Sequence, residues 1–277
     1  MKVMKFGGTS VGSPELIKNV ATLITASKEQ VFVVLSAMSG TTNALIEISD
    51  YLIKRNPEGA NELINRLETS YLSHVEKLYS TQEYKEKTQT TLLQIFSYLR
   101  SFTKGHFTSF ESHRVVAQGE IMSTNMMANY LSEQGYRTTL IDALSFMRTD
   151  KNAEPDMEYI KHHLKEAMQG YEDAQVYITQ GFICRNSYGE IANLQRGGSD
   201  YTASLVGVSL PAEEIQIWTD IDGMHNNDPR FVDKTTAIHQ LNFEEAAELA
   251  YFGAKILHPT CVQPAKFYGV PVRLKHT

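Results

Sequence analysis

Apolar positions along this chain follow two alternating rhythms. Residues 3–6 form a short apolar run that ends on Gly7-Gly8, and Ser13-Pro14 then opens a stretch in which Leu16, Ile17, Val20, Leu23 and Ile24 recur at helical spacing. A second apolar run, 31–35, passes through the small-residue turn 36–42 into another helical stretch from about Asn43. From about residue 60 to 131 the pattern is helical almost throughout, with a break at 104–109, and reads as an inserted helical layer. Strand patterns return at 138–141, 175–180 and 190–194, the last two predicted to pair as a hairpin through Asn186 and Gly189. Further strands are predicted at 214–218 and 270–274. Between them Asn242 and Glu245 have capping-box spacing ahead of a helix carrying Phe243, Ala246, Ala247 and Ala250, with Gly253 as its expected C-cap.

Strands alternating with helices predict an α/β fold, a three-layer α/β/α sandwich whose central sheet is mostly parallel, with a helical insertion over about 60–131. Such sheets bind ligands at the carboxyl ends of their strands, so the loops after strands are where chemistry is expected. No repeat, low-complexity tract or linker marks a boundary, and 1–277 reads as one domain.

Composition narrows the function classes. The chain has 277 residues, 42% of them hydrophobic, and its 26 basic and 32 acidic residues leave a formal charge of −6, so no global field would gather nucleic acid or an anionic membrane. No apolar run approaches the roughly 20 residues of a membrane span, and no signal-peptide pattern opens the chain; a cytoplasmic protein is expected. Cys184 and Cys261 lack CxxC or Cys/His ligand spacing, so neither a disulfide nor a zinc site is expected and both read as buried small hydrophobes.

Five segments carry candidate chemistry. In Lys5-Phe6-Gly7-Gly8-Thr9-Ser10 a cation at a strand end precedes two glycines, whose backbone N–H groups can approach a phosphate closely; the order differs from a Walker A loop, and a plain turn is the alternative. Arg196-Gly197-Gly198-Ser199-Asp200 follows a strand-like run and opens a helix, combining backbone donors at a helix amino terminus with a guanidinium suited to a carboxylate; Ser199 or Asp200 could instead be a simple N-cap. The segment Thr219-Asp220-Ile221-Asp222-Gly223, continuing to Asp228-Pro229-Arg230, lacks calcium-hand spacing and suits a nucleotide loop, or a solvated turn. Glu120, after Gly119 and amid Val115, Val116, Ile121 and Met122, either sits at a helix edge in water or holds a cationic group. The hydroxyl-rich turn 36–42 could bind a polar ligand or cap a helix.

Taken in order, KFGGTSV, LSAMSGTTNAL, the GE pair, RGGSDYTA, WTDIDG, DPR and FGAKILHP resemble the aspartate kinases of the amino acid kinase superfamily, over essentially the whole chain. The resemblance implies transfer of the ATP γ-phosphoryl group to the β-carboxylate of L-aspartate, at the start of lysine, threonine and methionine synthesis. It implies catalytic roles for Lys5 and Asp200, the acid orienting the lysine. Arg196 would pair with the α-carboxylate of aspartate and Glu120 would hold its α-ammonium, with Ser36, Thr42, Gly197, Gly198 and Ser199 as further substrate contacts. ATP would lie against Lys5, Gly7, Gly8, Thr219, Asp220, His225, Arg230, Lys255 and Ile256, with Mg2+ carried mainly on its phosphates. The amino-terminal part would thus serve the substrate and about 200–277 the nucleotide. His225 departs from the pattern, standing where many relatives have tyrosine against the nucleotide. Regulatory domains beyond Thr277, a homodimer and, in some relatives, fusion to a homoserine dehydrogenase are further expectations. Competing readings are a superfamily kinase acting on glutamate, acetylglutamate or a nucleotide, and a sensor that binds without turnover.

Overall fold

A computed structural model describes residues 1–194, 197–228, 231, 232, 234–252 and 257–277. Strands β1 (Lys2–Phe6), β2 (Val31–Leu35), β3 (Thr138–Ile141), β4 (Val176–Gln180), β7 (Glu214–Thr219) and β8 (Val272–His276) form one sheet, while β5 (Ile183–Arg185) and β6 (Ile191–Asn193) form a separate two-stranded ribbon. The large sheet runs β3-β4-β2-β1-β7-β8, and every neighbouring pair in it is parallel. From β1 the chain passes to β2, then to the edge strand β3, comes back to insert β4 between β3 and β2, and crosses to the other side of β1 with β7 and β8. That reversal opens the sheet's carboxyl edge around β1, the position at which a ligand crevice forms.

Helices cover both faces. Along β2, which is buried throughout, Val31, Val33 and Leu35 pack into one cluster with Ile17, Ile48, Ile64, Phe96 and Met126. Phe32 and Val34 point the other way and join Ile160, Leu164, Leu205 and Ile215. The two-residue period of a strand thus divides one apolar run between two cores, which is why β2 reads as continuously hydrophobic. The first layer holds α1 (Pro14–Thr25), α2 (Thr41–Ile53), α3 (Pro57–Leu78), α4 (Gln82–Ser101), α5 (Ser109–Val116) and α6 (Gln118–Glu133). The second holds α7 (Ala143–Phe146), α8 (Met157–Met168), α9 (Gly198–Ser209), α10 (Phe243–Phe252) and α11 (Pro259–Tyr268). Truncating a fully buried aromatic such as Phe32 would cost roughly 3–5 kcal/mol. Among the described residues no helix is long and apolar enough to cross a membrane.

Local signals explain most boundaries. Ser13 caps α1, its hydroxyl accepting from the Leu16 N–H, and Pro14 occupies the first turn, where its missing N–H costs nothing. At α10 the capping box forms in both directions at 2.8 Å, Asn242 N–H to Glu245 and Glu245 N–H to Asn242. Gly253, the expected C-cap, lies outside the described residues.

Two expectations are corrected. The hairpin through Asn186 and Gly189 pairs β6 with β5, not with 175–180, because β4 is claimed by parallel partners on both edges. The helical run 60–131 is interrupted at 79–81 as well as near 104–109. There Glu133 at the end of α6 accepts from the N–H groups of Ser80 and Thr81 and from the Thr81 hydroxyl, so a distant carboxylate stops α3 and starts α4. Periodicity cannot show such a break, since the cap arrives from elsewhere in the chain.

Candidate active site

The carboxyl ends of β1, β2 and β7 bring three glycine- or hydroxyl-rich loops together. Lys5 projects from β1, and its ammonium lies 2.8 Å from an Asp200 carboxylate oxygen on the first turn of α9, with both side chains mostly shielded from water. The loop after β1 enters a 3-10 turn at Gly8–Val11. A Cβ on Gly8 would stand 2.6 Å from the Ala37 carbonyl oxygen, so only glycine lets this loop lie against the turn after β2, where the Ser39 N–H donates to the Gly8 carbonyl at 3.1 Å. Gly7 adds no side chain beside the ammonium: a Cβ there would lie 3.5 Å from Lys5 Nζ.

Helix α9 begins on Gly197, whose φ of +78° is left-handed and which makes no side-chain cap. Neither Ser199 nor Asp200 is the N-cap. Their side chains turn to the other loops instead: Asp200 to Lys5, while Ser199 Oγ accepts from the Ser36 hydroxyl at 2.9 Å. The unfilled cap leaves the positive end of a helix dipole beside a lysine, an arrangement suited to an anion. Thr42 lies in the first turn of α2, behind the left-handed Gly40.

Glu120 occupies the first turn of α6 and is only 3% exposed, which excludes a helix edge in water. One carboxylate oxygen accepts from the Ala37 N–H at 3.2 Å; the other has no hydrogen-bond partner among the described residues. Burial pushes the Glu120 carboxyl up to about 7, because ionising it in a dry site without a cation is unfavourable. A bound ammonium would reverse that balance.

On the other side of β1, Thr219 ends β7 and donates its hydroxyl to the following residue, the exposed Asp220, at 3.0 Å. Thr277 ties this strand end to the loop after β1: its N–H and hydroxyl both donate to the Thr219 carbonyl at 3.0 Å, and its hydroxyl shares a 2.8 Å bond with Ser10. His225 is buried, its Nε2 2.6 Å from Asp222 and its Nδ1 2.9 Å from the Thr235 hydroxyl. Hydrogen bonding to His225 lowers the Asp222 pKa. Both ring nitrogens are thus engaged by protein groups, leaving only the ring's faces and carbon edge for a ligand.

Lys5, Gly7, Gly8, Ser36, Thr42, Glu120, Gly197, Gly198, Ser199, Asp200, Thr219, Asp220 and His225 therefore lie around the carboxyl end of one sheet. Arg196, Arg230, Lys255 and Ile256 lie outside the described residues. Three participants escape sequence reasoning. Ser123 on α6 donates to the Ser36 carbonyl at 2.8 Å. Phe182 adopts a left-handed φ of +68° at the end of β4, and its ring fills the space beside Gly198. Cys261, buried in α11, packs on Gly197, and burial pushes its thiol up to about 12. A left-handed phenylalanine has no sequence signature, and serine and cysteine carry none for a tertiary contact.

Comparison with known proteins places this geometry. The model of the amino acid kinase family matches residues 1–276. The chain is 35% identical to the chloroplastic Aspartokinase 1 of Arabidopsis thaliana over 289 residues, covering 99% of this chain and 50% of that protein. It is 33% identical to the lysine-sensitive aspartokinase 3 of Escherichia coli (strain K12), covering 98% of this chain and 60% of the relative. The crystal structure of E. coli aspartokinase III in complex with aspartate and ADP superposes with a TM-score of 0.88 at 32% identity, covering 100% of this chain and 62% of that one. The chain thus spans between half and two thirds of the length of these relatives. A parallel sheet with glycine-rich loops at the carboxyl end of β1, matched from end to end by one family model, makes this chain a member of the amino acid kinase family.

Proposed function

We propose that this chain is the catalytic part of an ATP-dependent aspartate kinase, transferring the γ-phosphoryl group to the β-carboxylate of L-aspartate to give 4-phospho-L-aspartate and ADP. The observation that carries the reading is the pairing of opposites across one crevice. A buried carboxylate oxygen of Glu120 lacks a described partner and suits an ammonium, while Lys5 and the open end of α9 suit phosphate. An α-amino acid with an acidic side chain presents both charges. An N-acetylated amino acid lacks the ammonium and would leave Glu120 uncompensated.

The acceptor carboxylate is already ionised at neutral pH, so no general base is required. A carboxylate oxygen forms the new bond to the γ-phosphorus as the bond to the β,γ-bridging oxygen breaks, and the electron pair leaves on ADP. Bringing the two anions together is the main obstacle: at about 4 Å two unit charges repel by roughly 1 kcal/mol in water and several-fold more in a drier cleft. The Lys5 ammonium forms an ion pair with Asp200 at 2.8 Å, which would hold its positive charge in place beside the phosphoryl oxygens. Arg196 would grip the α-carboxylate, with Ser36, Thr42 and Ser199 completing the amino-acid side. Thr219, Asp220, the ring face of His225, Arg230, Lys255 and Ile256 would form the nucleotide side. The exposed Asp220 carboxylate suits a water on a phosphate-borne Mg2+, and that ion would supply further neutralisation of phosphate charge.

Aspartate, ATP and hydroxylamine should yield aspartyl hydroxamate with this chain, and glutamate should not substitute. Hydroxamate from glutamate alone would assign the crevice to another acidic substrate of the same chemistry.

A further inference from the structure

Ser123 is 3% exposed, and its hydroxyl lies 2.8 Å from the Ser36 carbonyl oxygen and 3.1 Å from that of Glu120. A serine has one proton to give. The Glu120 carbonyl is already served by the Thr124 hydroxyl at 2.8 Å. Thr124 Oγ1 in turn accepts from Gln180 Nε2 at 2.9 Å, and the Gln180 side-chain oxygen accepts from the Ala143 N–H at 2.8 Å. The Ser123 proton therefore goes to Ser36, across the gap between α6 and the turn after β2.

Ser36 is where the two halves of the crevice meet. Its hydroxyl donates to Ser199 on the anion side, and the next residue, Ala37, donates its N–H to Glu120 on the ammonium side. That N–H bond, at 3.2 Å, is long for one to a carboxylate, so it depends on something else holding the turn in place. The Ser123 hydroxyl is a direct tie from the helix that carries Glu120.

We propose that Ser123 is a positioning residue for the amino-acid substrate: by fixing the Ser36 carbonyl against α6 it sets the spacing between the ammonium-binding Glu120 and the Ser36–Ser199 rim. The inference rests on the aspartate kinase reading for the identity of the substrate, but the tie itself can be measured without any ligand.

The test compares the wild-type chain with Ser123→Ala. With hydroxamate as the readout, KM for aspartate should rise at least roughly tenfold, while KM for ATP and kcat change by no more than about twofold to fivefold. In the ligand-free protein the Ala37 amide should exchange with deuterium at least roughly tenfold faster. Ser49→Ala is the control: Ser49 is equally buried, but its hydroxyl donates only to Leu45 within α2, and neither KM should move. Unchanged Ala37 exchange, or equal rises in both KM values, would overturn the proposal. Absence of aspartate turnover in the wild type would sink the kinase reading, and the Ala37 exchange would still decide whether Ser123 holds the turn.

Discussion

The Cys261 sulfur occupies the space in which a side chain at Gly197 would begin: an ideal Cβ there would lie 1.9 Å from it. Gly197 is also left-handed, so two constraints coincide at the residue that starts α9 and places Asp200 beside Lys5. Gly197→Ala should destabilise by roughly 2–4 kcal/mol, combining backbone strain with overpacking. Gly135→Ala, left-handed but with open space around it, should cost only about 1–2 kcal/mol. Cys261→Ala should recover part of the Gly197→Ala loss in urea unfolding, since the sulfur is the obstacle.

Asp200 pairs with Lys5, and if it serves the proposed transfer through that lysine, the effects of removing the two should not add. Lys5→Ala should lower turnover at least about 100-fold, in line with loss of one charge-stabilising group. Asp200→Ala should also slow turnover, but the double variant should be scarcely slower than Lys5→Ala, because the acid has nothing left to orient. Multiplicative losses would show that Asp200 acts on substrate independently.

Glu120 predicts how stability varies with pH. Its folded pKa of about 7 lies above the ordinary value of 4.5, so the folded protein holds a proton that the unfolded chain releases. The contribution is therefore fully present below about pH 4.5 and is lost as pH rises through about 7, amounting to roughly 3 kcal/mol. Relative to Glu120→Gln, the wild type should lose about that much between pH 4.5 and 8 in urea unfolding. Aspartate at pH 8 should restore part of it by supplying the ammonium. A flat difference between the two proteins would mean the carboxylate is already paired.

Trp218, the sole tryptophan, stacks on Phe6 at 5.5 Å, lies under the Lys275 ammonium at 4.9 Å and directly precedes Thr219 and Asp220. MgADP bound at this strand end should shift its emission in a saturable way. Titration without any spectral change, at nucleotide concentrations that calorimetry shows to bind, would place the nucleotide elsewhere.

Much of this was legible in the sequence because it is local. The apolar run at 31–35, the cap at Ser13 and the box at Asn242 and Glu245 depend on residues a few positions apart, and each formed as its pattern predicts. The pairing of β6 with β5 and the interruption at 79–81 were not legible, since each depends on which partner the fold brings to an edge or a helix end.

The candidate site divides in the same way. Glycines after strands and an acid within an apolar helix marked the loops, because absent side chains and a costly buried charge are properties of residues. Whether Glu120 stood in water or was buried, whether Ser199 and Asp200 capped their helix or faced Ser36 and Lys5, and that Ser123 bonds to Ser36 and Cys261 packs on Gly197, only the tertiary structure decided. Burial and hydrogen-bond partnership are relations between segments far apart in the chain, and those relations exist only once the sheet has gathered its strand ends.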